Sequence, residues 1–224
     1  MQEKLKSEGK CLFCGQVFTK AGINKHLATH LKKIVKSGET GKSFLVKVET
    51  SKYWGPTPYF LSLWIDGETT MKTIDKFLRD IWLECCGHLS EFYGVAKTKK
   101  AKDVFTKGMQ LEYEYDFGSS TELTITVVDE YPIKADKKII LLSRNEPLEI
   151  LCSVCDKAPA TQICVICVEF EFCDKCAEIH AEECGDFADY ASMPMVNSPR
   201  MGECGYMGGS IDVERDGVFV LKNK

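Results

Sequence analysis

From Ser43 to Asn145 the apolar residues recur at the periods of regular secondary structure. Tyr59, Leu61, Leu63 and Ile65 alternate with their neighbours and predict one face of a β-strand. Met71, Ile74, Phe77, Leu78, Ile81, Trp82 and Cys85 then follow at helical spacing, with Thr70 placed as N-cap and Gly87 as the stop. Leu111, Tyr113, Tyr115 and Phe117 alternate with acids, Gly118, Ser119 and Ser120 turn the chain, and Leu123, Ile125 and Val127 bring it back as a hairpin. Lys138 to Leu142 reads as a further strand. The expected fold class is α+β: a mostly antiparallel sheet with the amphipathic helix packed across one face.

The flanks follow another pattern, built on cysteine and histidine. Cys11-x2-Cys14, Phe18, Ile23 and His26-x3-His30 have the order of a ββα Cys2His2 zinc finger, in which a hairpin supplies two thiolates and a helix two imidazoles around a miniature core of Phe18 and Ile23. Eleven residues separate Cys14 from His26, which predicts a tight hairpin-to-helix turn. Ser37, Gly38, Glu39, Thr40 and Gly41 break the lysine-rich helix that follows, so the finger is expected to be tethered to the sheet domain rather than built into it. Near the other end, Cys152, Cys155, Cys164, Cys167, Cys173, Cys176, His180 and Cys184 offer ligands for two tetrahedral zinc ions, and Cys204 competes with Cys184 for the last place. The expected organisation is a finger with a basic helix at 1–36, an α+β domain at 43–146, a two-zinc module at 150–190 and an irregular tail at 191–224 with a last hairpin at Asp216 and Gly217.

Composition decides what the cysteines do. Eight of the twelve lie in four C-x2-C pairs, and the polar N-terminus predicts a chain without a secretory signal, so metal is a better account than disulfides. No segment approaches the roughly 18 uninterrupted apolar residues of a membrane-spanning helix. The expected location is cytoplasmic, with about three Zn2+ per chain, each held by four protein ligands and therefore structural.

The net charge of −4 divides into +7 over residues 1–48 and −11 over the rest. Lys20, Lys25, Lys32, Lys33 and Lys36 make the first part a candidate for phosphate contact, the alternative being a solvated face on a protein whose partner is another protein. With His26 taken as the seventh helical residue, the base-facing positions are Thr19, Gly22 and Lys25. These give little base readout, so any nucleic-acid binding is expected to be indifferent to sequence. Gly41, Lys42 and Ser43 imitate the end of a P-loop, but Lys36 stands where its first glycine belongs, which removes nucleotide binding.

The eight-ligand cluster resembles B-box and related cross-brace fingers. That resemblance implies that Cys152, Cys155, Cys173 and Cys176 share one ion while Cys164, Cys167, His180 and Cys184 share the other, with sequential pairing as the alternative. Three stretches, His88-Leu89-Ser90-Glu91-Phe92, Tyr115-Asp116-Phe117-Gly118 and Asn197-Ser198-Pro199-Arg200-Met201 with Cys204, Gly205 and Tyr206, resemble the Ri-plasmid open-reading-frame-three-like family, found also as a passenger of insertion elements. The resemblance covers about residues 43–206 and implies an α+β domain without a settled activity. The sequence departs from the family's pattern at Ser90 and Ser119.

Two functional classes follow. One is a non-enzymatic zinc-binding protein that presents interaction surfaces, with no catalytic residue. The other is a hydrolase or thiol enzyme centred on His88, using Cys85, Cys86 and Glu91 or a metal held with Asp116. A deaminase is excluded, because His88 and Glu91 are spaced H-x2-E and no P-C-x2-C follows.

Overall fold

A computed structural model describes residues 5–36, 38–51, 57–167 and 170–212. Among these, 6–78 with 88–146 form one compact unit, and 79–87 with 147–212 form another. Asp216 and Gly217, where a hairpin was expected, lie outside the described residues.

The first unit contains the finger and the α+β sheet together. A hairpin of β1 (Glu8–Lys10) and β2 (Val17–Thr19) leads into α1 (Ile23–Ile34). The sheet consists of β3 (Thr40–Thr50), β4 (Phe60–Asp66), β5 (Ser90–Phe92), β6 (Gln110–Tyr115), β7 (Thr121–Ile133) and β8 (Ile139–Arg144), arranged β5-β6-β7-β3-β4-β8. Every pairing in it is antiparallel. Helix α2 (Met71–Leu78) and the short α3 (Ala101–Val104) complete the unit.

Both faces of this sheet are buried at β4. Phe44, Val46, Val48, Leu61, Leu63, Ile65, Leu123, Ile125 and Val127 are fully or almost fully buried on one side. Helix α2 belongs to that side, since the Tyr113 hydroxyl donates a 2.9 Å hydrogen bond to Asp75, and Thr70 caps the helix through the Thr73 N–H. On the other face Leu45, Phe60, Trp64, Tyr131, Ile133 and Leu142 form one core with Cys11, Ile23, Leu27 and Leu31 of the finger. This is why β4 has no polar side: all its residues from Phe60 to Ile65 are buried.

The finger is therefore docked, which corrects the expectation of a tethered module. The Leu12 N–H bonds the Leu142 carbonyl at 2.9 Å, and Gly9 bridges Asn145 so closely that a Cβ there would lie 2.5 Å from the Arg144 carbonyl oxygen. Helix α1 and strand β3, on either side of the break, belong to one core instead of two domains. An amphipathic stripe of Ile23, Leu27 and Leu31 is too apolar to be left in water, and the second face of the sheet covers it.

The second unit holds β9 (Gln162–Cys164), β10 (Phe170–Phe172) and β11 (Ser192–Pro194) in the order β10-β9-β11, with α4 (Asp174–Glu183). It also contains a π-helical turn, Arg79–Leu83, where the sequence predicts an unbroken α-helix as far as Cys85. The carbonyls that leave the helical ladder are taken up by the tail. Ser210 N–H donates to Asp80 at 2.7 Å and the Ser198 hydroxyl to Trp82 at 2.6 Å, so wider helical turns cost no unpaired group. Among the described residues, no helix is long and apolar enough to cross a membrane.

Candidate metal centres

None of the twelve cysteines is in a disulfide. The structure gathers them, with histidines, into clusters whose ligand atoms lie within 4.8 Å of one another.

The first cluster is Cys11, Cys14, His26 and His30. The knuckle is closed by Gly15 N–H to the Cys11 carbonyl at 2.9 Å, with Gly15 at φ 71°, a conformation that favours glycine. The Cys14 Sγ lies 3.3 Å from His26 Nε2, which lies 3.1 Å from His30 Nε2. Phe18 stacks on His26 and Phe13 on His30, fixing both rings. Burial pushes the Cys11 thiol up, against backbone N–H groups of Cys14 and Phe13 that pull it down. Burial, with the charges of His30 and Lys33, holds the His26 imidazole below its usual range, favouring the neutral form that ligates metals.

The tight turn is present, with Gly22 N–H bonded to the Thr19 carbonyl at 2.9 Å. It shortens the helix at its start. Because α1 begins at Ile23, His26 is its fourth residue rather than its seventh; Thr19 is in β2 and Gly22 is the cap. The base-facing register assumed for Thr19, Gly22 and Lys25 is therefore not the register of this helix.

The other two tetrads are crossed. Cys152 and Cys155 meet Cys173 and Cys176, while Cys164 and Cys167 meet His180 and Cys184. Sequential pairing is not what the chain adopts. Helix α4 makes the crossing, with Cys173 as its N-cap, Cys176 and His180 within it and Cys184 as its C-cap. Sulfur atoms stand 3.9 Å apart from Cys155 to Cys173 and 3.8 Å from Cys167 to Cys184. Two sulfurs bound at about 2.3 Å to one tetrahedral ion are about 3.8 Å apart, so these spacings fit a shared ion.

The knuckle N–H groups lower some of the thiols, while the Cys164 thiol pushes Cys167 up to about 11 and burial pushes Cys176 up to about 12. Burial raises Cys152, but the backbone N–H groups of Cys173, Cys155 and Val154 outweigh it and hold the thiol at about 6. Cys164 is likewise held at about 7, burial being overcome by His180 and by the N–H groups of Cys167 and Ile166. His180 is stacked on Phe172 with centroids 4.4 Å apart and meets Phe187 edge-on, so a small apolar core of Phe172, Ala177, Phe187 and Ala191 positions the ligand ring.

Cys204 does not displace Cys184. Its sulfur lies 3.8 Å from that of Cys86, which in turn lies 3.9 Å from Cys85. Spacing alone gave no signal for this grouping, since 118 positions separate Cys86 from Cys204.

The candidate catalytic residues are placed as follows. His88 Nδ1 lies 3.4 Å from the buried Asp116 and its ring meets Tyr115 edge-on. Asp116 also accepts the Gly118 N–H at 3.1 Å while adopting φ 63°, which makes it the corner of the hairpin. Glu91 is exposed and pairs across the sheet with Glu114. Among the lysines, Lys20 is engaged with Glu49 at 2.8 Å and with the Thr57 carbonyl, whereas Lys25, Lys32, Lys33 and Lys36 are exposed. In the second unit, the Asn197 to Arg200 stretch is a packed loop, with Ser198 and Arg200 buried.

No family model and no curated protein matches the chain. Among solved structures it is similar to a protein of unknown function from Methanosarcina mazei Go1, at 21% identity and a TM-score of 0.36, over 44% of this chain. The match spans 65% of that protein's own length.

Proposed function

We propose that the protein is a non-enzymatic, zinc-built interaction protein, in which zinc occupies the finger and the two crossed tetrads. The observation that carries this reading is the donor sets: each tetrad is a soft or borderline four-ligand group, and four protein ligands leave no corner for a water or substrate. Zinc supplies structural cross-links there. Cysteine thiols free of disulfides suit a reducing compartment, in keeping with a cytoplasmic location.

The docking of the finger favours a particular use of its helix. Ile23, Asn24, Leu27 and Leu31 face the sheet, which leaves Lys25, Lys32, Lys33 and Lys36 on the solvent side as a basic strip. We infer non-specific contact with nucleic-acid phosphates through this strip, without Lys20. Each phosphate contact made by a lysine steepens the salt dependence by about 0.9 in log K against log salt. Lys32→Glu with Lys33→Glu should lower affinity about equally for all duplex and single-stranded sequences and flatten that slope. If wild-type protein fails to bind any of them at low salt, the strip is a solvated face.

A second reading, a protein partner, is favoured by the cysteine module itself. Val154, Ile166 and Ile179 expose about half of their surface or more, and a cavity of about 270 Å³ opens beside Val154 and Ile179. The His88–Asp116 pair we read as a clasp at the hairpin corner. Glu91 is exposed and paired with Glu114, which leaves the enzyme reading without its third group.

A further inference from the structure

Cys85, Cys86 and Cys204 belong to none of the three tetrads. They come from two segments of one compact unit, the end of the π-helical turn and the loop after Arg200. Their ligand atoms lie within 4.8 Å of one another, and the sulfur separations of 3.8 and 3.9 Å match those within the crossed tetrads. We propose that these three thiols hold a fourth soft metal ion, going beyond the three zinc ions of the finger and the crossed tetrads.

Three features support the assignment. Cys204 adopts φ 47°, a left-handed conformation that a non-glycine residue rarely takes, and glycines at 202 and 205 flank it with positive φ. A loop wound this way brings the exposed Cys204 thiol within 3.8 Å of that of Cys86. Next, Arg200 is fully buried and its Nη2 lies 3.8 Å from the Cys85 sulfur, the kind of outer contact that steadies a thiolate ligand. Last, the two segments are already joined around the thiols: Ser198 bonds Trp82, Ser210 bonds Asp80, and Cys85 packs with Met193, Val196 and Tyr206. An ion there would lock a closure that hydrogen bonds alone begin.

Three thiolates select a thiophilic ion, Zn(II) or Cu(I), over Mg(II) or Ca(II). A tetrahedral ion needs one more donor. Three thiolates leave that corner open to a donor from solution.

The test uses the full chain, purified reduced and without chelator, loaded with Zn(II) alone. Alkylation followed by peptide mapping should find Cys85, Cys86 and Cys204 protected until chelator is added, as the cysteines of the three tetrads are. Cys86→Ser and Cys204→Ser should each lower zinc by one per chain, and the double variant also by one, because the residues share an ion. Rapid alkylation of these three while the tetrads stay protected would overturn the fourth site and leave the three-zinc reading standing. So would an unchanged zinc count in both variants. Rapid alkylation of every cysteine would overturn both readings. The protection measurement on wild-type protein decides the matter even where a variant fails to fold.

Discussion

The Ser62 hydroxyl on β4 donates a 2.9 Å hydrogen bond to the Asn24 carboxamide oxygen on α1, and both side chains are buried. This polar pair sits within the apolar contact between finger and sheet. A buried pair of this kind adds little net stability when made and costs more when half of it is removed. Asn24→Ala should destabilise the first unit by about 1–3 kcal/mol in urea unfolding. Adding Ser62→Ala should recover part of that loss, because the orphaned hydroxyl goes with it. Additive losses would mean that the two groups are solvated separately.

Docking makes any metal held by the finger a matter for the whole unit. If His26 holds a metal, its loss frees the helix that carries Leu27 and Leu31, which share a core with Leu45, Trp64 and Leu142. His26→Ala should lower stability by several kcal/mol, with β4 amides exchanging faster and a single transition at lower temperature. A separate low-temperature transition with β4 protection unchanged would restore the tethered module.

A pH dependence follows from Glu49, the partner of Lys20. Burial pushes its carboxyl up, but hydrogen bonds from Lys20 and Lys47 outweigh this and hold it below the ordinary value of 4.5. A depressed folded pKa contributes stability that is present above that value and lost as pH falls through the folded one. Glu49→Gln should therefore cost on the order of 1 kcal/mol at pH 7, and its gap from wild type should close on acidification below about 4.5. Comparing the two proteins at the same pH and the same metal content isolates the carboxyl from the thiolates. A gap that widens in acid would contradict the assignment.

Much of the sheet was legible because its period-two alternation and turn residues are local. The strand around Leu61 to Ile65, the hairpin about Gly118 and the Thr70 cap all depend on neighbours in sequence. What was not legible depends on distant partners. Phe60 and Trp64 point to a second buried face, but nothing in the spacing says that the finger covers it. At the π turn Arg79–Leu83, tail groups distant in sequence bond the Asp80 and Trp82 carbonyls. Cys204 could be assigned by spacing only to its nearest cluster, and the chain takes it to Cys86 instead. The ligand tetrads were readable because a C-x2-C knuckle is itself a local structure, whereas the start of α1 depends on a turn one residue short.

Zinc content per chain, by elemental analysis of reduced protein purified without chelator, tests the metal-built scaffold most directly. Four ions are predicted for the wild type, three of them in the finger and crossed tetrads and one at Cys85, Cys86 and Cys204. Substituting Cys155 with Cys173 should remove one ion, because they share a tetrad, whereas substituting Cys155 with Cys167 should remove two. A wild-type value below one, with disulfides mapped within the C-x2-C pairs, would contradict the scaffold outright.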